Sequence, residues 1–367
     1  MSLPVDQRLA HLRGSLPAEE PGARGIERIA RNPECTRLRA LTIAGITPKT
    51  AAESVYGEQT QRGQSPFALA IGNAFEQGLI KDGAAALLKL LRDAEHLTTA
   101  ECKVVVIPDL VPGVGPRVVA QRAAETLRFL RLKASGDAAA PNLIIKPRLT
   151  VALLGIEHGI EPDAIVAADA DKFYRPIELK SYSDRAGKTD PADLRSACRQ
   201  AAVAVVSLRQ VAERLGIPEA TTAVPPICDL VLRIPASRQG RLSEMTIRNE
   251  VASLERAFGE APRNLDELEA LLPAGGRLDQ ARVLEAVPNS YRSNCREYCA
   301  LAKHCKQAAI ATQDPILLGE QAKELLIPAG SISRAADLLH GTRPRTEAER
   351  ALAEKLQEVA AALRRAG

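Results

Sequence analysis

A chain of 367 residues is long enough for one large domain or two ordinary ones, and 46% apolar residues supply a sizeable core. Aromatic residues are only 3% and Trp is absent, so the core must be built from Leu, Val, Ile and Ala, and base-stacking platforms are scarce. The net charge of +4 permits a nucleic-acid partner without demanding one, and no apolar run reaches the length of a membrane span. The start of the chain, Met1 to Arg8, lacks the basic-then-apolar pattern of a signal peptide. A cytoplasmic protein without a membrane partner is expected, and its seven cysteines are then thiols rather than disulfides.

Residues 1–25 read as a helix and a Pro- and Gly-bearing linker, an N-terminal extension ahead of a main domain over 26–310. A basic amphipathic stretch runs from Ile26 to about Leu41, and Pro66 opens a helix through Phe67, Leu69, Ile71, Phe75 and Leu79. Val104 to Ile107 predicts a buried strand, and Pro116 to Leu132 a helix. The turn Gly113-Val114-Gly115 before that helix resembles a helix-hairpin-helix DNA module, although Gly and Pro are commonplace at helix starts. Further strands are expected at Leu143–Ile145, Thr150–Leu154, Asp163–Ala167 and Pro176–Lys180, then a long Ala/Val-rich helix from Asp190 to about Leu215. Val224–Ile234 predicts another strand, and the pattern beyond residue 243 is mostly helical. The tail over 311–367 ends in a charged helix from Thr346 to Arg365, where Thr346 and Glu349 fit a capping box. No phosphate-cradling Gly-x4-Gly-Lys-Ser/Thr loop occurs.

Chemistry concentrates around Pro162-Asp163 and Glu178-Leu179-Lys180. Glu178 and Lys180 are two apart on a strand and share one face. If that strand pairs with the preceding one as a hairpin, Asp163 meets Glu178. Two carboxylates then converge on a hard divalent cation, Mg2+ or Mn2+, and the Leu179 carbonyl offers one more oxygen. Lys180 would orient or deprotonate a water, or stabilise charge developing on a phosphate. The bland alternative is that Glu178 and Lys180 decorate a solvated strand face. Glu76, on an otherwise apolar helix, either completes the metal shell or is a half-exposed helical acid. Gln200, inside the apolar run after Cys198, needs a polar partner that an active-site edge would supply. Arg185, Lys188, Arg195 and Arg199 stand in and after a Gly-bearing basic loop, either as backbone-phosphate contacts or as solvated charges.

Cys295, Cys299 and Cys305 form a triplet among charged residues, and Cys35 lies far upstream. Four thiolates select zinc or an iron–sulfur cluster. One short group plus a distant cysteine is less typical of zinc, and a third alternative treats all four as small buried apolar groups. Cys102, Cys198 and Cys228 fit that last description. The sequence spacing of His96, His158, His304 and His340 suggests no metal site.

The order Cys35, Glu76, Asp163, Glu178-Leu179-Lys180, Gln200, then Cys295, Cys299 and Cys305 resembles the iron–sulfur branch of the PD-(D/E)XK nucleases. That branch includes RecB-like and CRISPR-associated exonucleases, and the resemblance spans roughly residues 30–306. It implies an α/β fold with a restriction-endonuclease-like core, a mixed sheet flanked by helices, and a helical, cysteine-stapled C-terminal region. It also implies a divalent metal on Asp163 and Glu178, Lys180 as the catalytic lysine, and a [4Fe–4S] cluster on the four cysteines. DNA would be the substrate, and a helicase or defence-system protein a possible partner. The chain departs from the family in having three residues between Cys295 and Cys299, Glu76 in place of a His, and Ala204 in place of a Tyr.

Overall fold

The computed structural model describes residues 3–59, 66–99, 101–168, 171–183, 188–235, 237 and 239–366. The chain is α/β, with eight strands among the described residues: β1 (Val104–Val106), β2 (Leu143–Ile145), β3 (Leu149–Leu153), β4 (Ile156–Ile160), β5 (Ala164–Val166), β6 (Arg175–Ser183), β7 (Ile227–Arg233) and β8 (Gly240–Thr246). Six of them form a mixed sheet in the order β1-β2-β5-β6-β7-β8, and β3 and β4 make a separate antiparallel ribbon. β1 and β2 are parallel, as are β6 and β7, while the other neighbours run antiparallel.

Parallel neighbours need a crossover, and helices supply both. Pro116–Ala134 joins β1 to β2, and Pro191–Arg214 lies between β6 and β7. The Gly113-Val-Gly115 turn starts the first crossover, with Gly113 at φ +102° and Gly115 at φ +112°, backbone that glycine alone adopts cheaply. Arg122 closes the turn by donating to Val111 O at 3.0 Å and Gly113 O at 3.2 Å.

The sheet is covered on both faces, and the alternation of its short apolar strands shows it. Leu143, Ile145, Ala164, Val166, Ile177 and Leu179 pack under Phe75, Leu79, Leu87 and Leu91 of the helix Pro66–Asp93. Ile144 and Ile165, one residue out of phase, join the main core with Phe129, Leu130 and the apolar stripe of Pro191–Arg214. The helix Pro66–Asp93 is broken between Lys81 and Ala84, where Asp82, Gly83 and Ala84 hold φ values of 53°, 67° and 61°. The sequence reading followed this helix through Leu79 and did not foresee the break.

Leu9, Leu12 and Leu16 of the N-terminal segment enter the main core, and Leu278 N donates to Leu12 O at 2.7 Å. Toward the C-terminus, Leu326, Ala329, Ala335, Leu338, Leu352 and Ala353 form a small core of their own. Among the described residues no helix is long and apolar enough to cross a membrane.

Candidate active site and four-cysteine centre

Asp163 precedes β5, and β5 pairs with β6 in the register Ala164↔Ile177. The next positions outward are therefore Asp163 and Glu178. On the other side Ile145↔Ala164 fixes the β2 register. Lys146, Asp163 and Glu178 thus stand in one row across three neighbouring strands. Leu179 N donates to Asp163 Oδ2 at 2.8 Å and Lys146 N to the Asp163 carbonyl at 3.0 Å, which fixes the aspartate from both sides.

Three carboxylates and two lysines meet here. Lys180 Nζ lies 2.6 Å from Glu178 Oε2 and 3.5 Å from Asp163 Oδ2. Lys146 Nζ lies 2.9 Å from Asp163 Oδ1 and 2.6 Å from Glu76 Oε1. Glu76 arrives from the helix Pro66–Asp93, which crosses β6 at Gly72; a Cβ there would stand 3.7 Å from Ser181 Oγ. All five groups are largely buried, with side-chain exposures of 6–22%.

The two strand carboxylates are pushed apart electrostatically. Burial would raise the pKa of Asp163, but Lys180, Lys146 and the Leu179 N–H outweigh it and hold it below the usual range. Burial dominates at Glu178 and, with Asp163 adding to it, raises its pKa against the pull of Lys180. Burial alone would lower Lys180, but Glu178 and Asp163 raise it, so it is a charged donor and not a neutral base. Carboxylates are the donor type a hard divalent cation takes, but here the lysines and not a cation bridge them: the ligand atoms of Glu76, Asp163 and Glu178 do not all lie within 4.8 Å of one another.

Lys146 carries no motif and the sequence reading passes over it. A lysine directly after the buried run Leu143-Ile144-Ile145 and before the buried Pro147 was the available signal. Gln200 is buried, but its amide turns back along its own helix, donating to Ser196 O at 3.3 Å and Ser196 Oγ at 3.4 Å. The Leu179 group seen to act on the site is its N–H. Of the four basic residues proposed for phosphate contact, Lys188 and Arg195 are exposed, Arg199 is half-buried near Glu27, and Arg185 lies outside the described residues.

The four cysteines also converge. Burial pushes the Cys299 thiol up to about 12, and the neighbouring Cys305, Cys35 and Cys295 add to the shift. Burial likewise pushes Cys305 up to about 11, opposed by Arg37. Each sulfur faces a donor: Leu38 N to Cys35 at 3.4 Å, Arg292 N to Cys295 at 3.3 Å, the Leu301 N–H to Cys299, and Arg37 Nη1 to Cys305 at 3.6 Å. N–H donors around sulfur suit thiolate ligands, which bind metal only after losing their protons. Among the described residues the ligand atoms gathered within 4.8 Å of one another belong to His96, Asp229 and Glu244, and not to the cysteines.

The His96 group escaped the sequence reading because its members come from three separate elements. A cation already stands among them: Arg175 reaches Asp229 Oδ2 at 3.2 Å, Glu244 Oε2 at 2.9 Å and His96 Nδ1 at 2.8 Å. It is an ion-pair network that ties the far ends of β6, β7 and β8 together.

No protein-family model matches the chain and no curated protein matches it, so its likeness to the iron–sulfur nucleases rests on its own residues.

Proposed function

We propose that this chain is a divalent-metal-dependent DNA nuclease with a restriction-endonuclease-like core and a structural [4Fe–4S] cluster. The observation that carries the proposal is the meeting of Glu76, Asp163, Glu178 and Lys180, delivered by one helix and two adjacent strands. A divalent cation on the three carboxylates would acidify a water and offset charge on the scissile phosphate. Lys180, held cationic by Glu178 and Asp163, stabilises the negative charge that grows on phosphorus-bound oxygen as water adds. The attacking water sheds a proton to solvent, the phosphorus–oxygen ester bond breaks, and the leaving alkoxide takes up a proton from solvent water. Leu179 and Lys146 keep Asp163 in place through backbone N–H groups. Cys35, Cys295, Cys299 and Cys305 would hold the cluster and take no part in the hydrolysis.

The test is cleavage of single- and double-stranded DNA under anaerobic conditions with and without Mg2+ or Mn2+. Glu178→Ala and Lys180→Ala should each lower metal-dependent cleavage by at least about a hundredfold while leaving the fold intact. Wild-type turnover by Lys180→Ala would sink the assignment. A second function, a DNA-binding subunit without catalysis, is favoured by one observation: the two lysines already pair with all three carboxylates. It predicts DNA binding with no cleavage under any metal.

A further inference from the structure

Lys146 is the one member of the centre that the hydrolysis above leaves without a chemical task. Its ammonium lies between Glu76 Oε1, at 2.6 Å, and Asp163 Oδ1, at 2.9 Å. Lys180 uses different oxygens, Glu178 Oε2 and Asp163 Oδ2. The lysines therefore divide the carboxylates, and Lys146 alone spans the gap between the helix acid and the strand acid.

The backbone is strained to put it there. Lys146 holds φ +50°, a left-handed conformation that costs a non-glycine residue about 1–3 kcal/mol and that a following proline further disfavours. Lys146 N to Asp163 O, together with the buried Ile145 and Pro147, keeps the chain in that conformation. Such strain is retained where the surroundings over-determine it, and here its effect is to aim one ammonium at two carboxylates.

An ammonium is a compact point charge with three donors, and it contacts the oxygens that a hard cation would take. Both cannot hold those oxygens together, because a magnesium ion needs them at about 2.0–2.1 Å. We propose that Lys146 is an internal cation that competes with the divalent metal for Glu76 and Asp163. When metal loads, its ammonium passes to the phosphate of the substrate. Charge balance supports the second half. Three carboxylates, two lysines and one divalent ion leave a single positive charge, which one phosphodiester neutralises. The stem of Lys146 is anchored at the end of β2, so the displaced ammonium stays beside the metal. The inference rests on the nuclease chemistry proposed above and adds a coupling to it: metal binds weakly until nucleic acid offers Lys146 another anion.

The experiment is calorimetric titration of the full chain, purified anaerobically, with Mn2+ alone and then with Mn2+ plus a cleavage-resistant phosphorothioate oligonucleotide. Lys146→Met should bind Mn2+ about 10- to 100-fold more tightly than wild type without nucleic acid, the scale on which close neighbours tune a metal site. It should bind the oligonucleotide more weakly, and the oligonucleotide should no longer improve Mn2+ affinity. Lys146→Arg keeps the charge and should stay near wild type in Mn2+ affinity, which also guards against a Met variant that folds poorly. A lysine that only supports the fold would make metal and oligonucleotide binding fall together. That outcome, or unchanged Mn2+ affinity in Lys146→Met, overturns the proposal. Asp163→Asn separates the two levels: if it leaves Mn2+ binding at the wild-type value, the nuclease assignment itself fails.

Discussion

Asp163 and Glu178 are neighbours with opposite costs. Asp163 has an ammonium on each oxygen and an N–H on one of them, so its charge is stabilised in the fold. Glu178 is buried with one lysine and one like charge beside it, so its charge is a burden. Asp163→Asn should therefore destabilise the metal-free protein by about 3–5 kcal/mol, the cost of stranding a buried charge. Glu178→Gln should leave melting within about 1 kcal/mol of wild type or raise it, while cleavage is lost. Metal-free thermal melting of both variants checks the pair, and equal destabilisation would contradict it. Motif spacing made these two acids and Lys180 legible, because strand alternation dictates which residues share a face. Lys146 was not legible, since a lone lysine after an apolar strand has no spacing to betray it. Helical periodicity placed Gln200 in a buried stripe but does not set a rotamer, and Ser196 one turn back captured its amide.

At the scale of elements, the helix Glu347–Ala366 shows how a predicted cap gains a tertiary role. Thr346 Oγ1 accepts from Glu349 N at 3.1 Å, one half of a capping box. The Glu349 carboxylate turns instead to Arg334, at 2.9 Å and 2.7 Å, and to the Arg345 N–H, so the cap also joins this helix to Ile332–Leu339. The Arg334 and Arg345 donors lower the Glu349 pKa to about 2 from its ordinary 4.5. A depressed carboxylate stabilises the fold fully above its unfolded value and loses that contribution as pH falls through the folded one. The two-helix tail should thus stay docked at pH 5 and loosen between about pH 4.5 and pH 2. Glu349→Gln should loosen it at all pH values and abolish that acid step. Hydrogen exchange along residues 332–366 reports both, and an acid step retained in Glu349→Gln would exclude this carboxylate as its source. The β5–β6 hairpin was equally legible, from two apolar runs around a turn-rich link. β4 and β8 were not, because β4 carries Glu157, His158 and Gly159, and β8 is a half-exposed edge strand with Arg241, Ser243 and Glu244. Tertiary pairing overrides weak strand propensity in both.

Across the whole molecule, the cysteines and ordinary hydrogen bonds hold the same two ends. Asn32 Nδ2 donates to Ser290 O at 2.7 Å, Arg37 N to Pro288 O at 2.8 Å, and the buried Arg37 guanidinium to Glu285 O at 3.0 Å and Val287 O at 3.2 Å. Glu34 pairs with Arg292 at 3.0 Å. This changes what loss of a cysteine should do. A fold closed by the cluster alone would come apart, whereas this one retains a hydrogen-bonded seam. Cys35→Ser, purified anaerobically, should lose its visible absorbance and most of its iron yet remain folded. Its melting temperature should fall by about 5 °C or more, since closing so long a loop is worth a few kcal/mol. Proteolysis should begin near residue 35 and around 290–310, the two sides of the seam. Arg37→Ala removes the seam's main donor and strands the buried Val287 carbonyl, at about 1–3 kcal/mol. It should lower melting and, because Arg37 also donates to Cys305 Sγ at 3.6 Å, weaken iron retention in part, whereas Cys35→Ser removes a sulfur outright. The double variant couples them: its loss should exceed the sum of the single losses, because each tie shortens the loop that the other must close. Neither change touches Asp163, Glu178 or Lys180, so metal-dependent cleavage should persist in the cold and fail on warming. Full iron content and an unchanged melting point in Cys35→Ser would show that Cys35 is no ligand, and would leave the closure of the fold to hydrogen bonds and ion pairs, the seam among them.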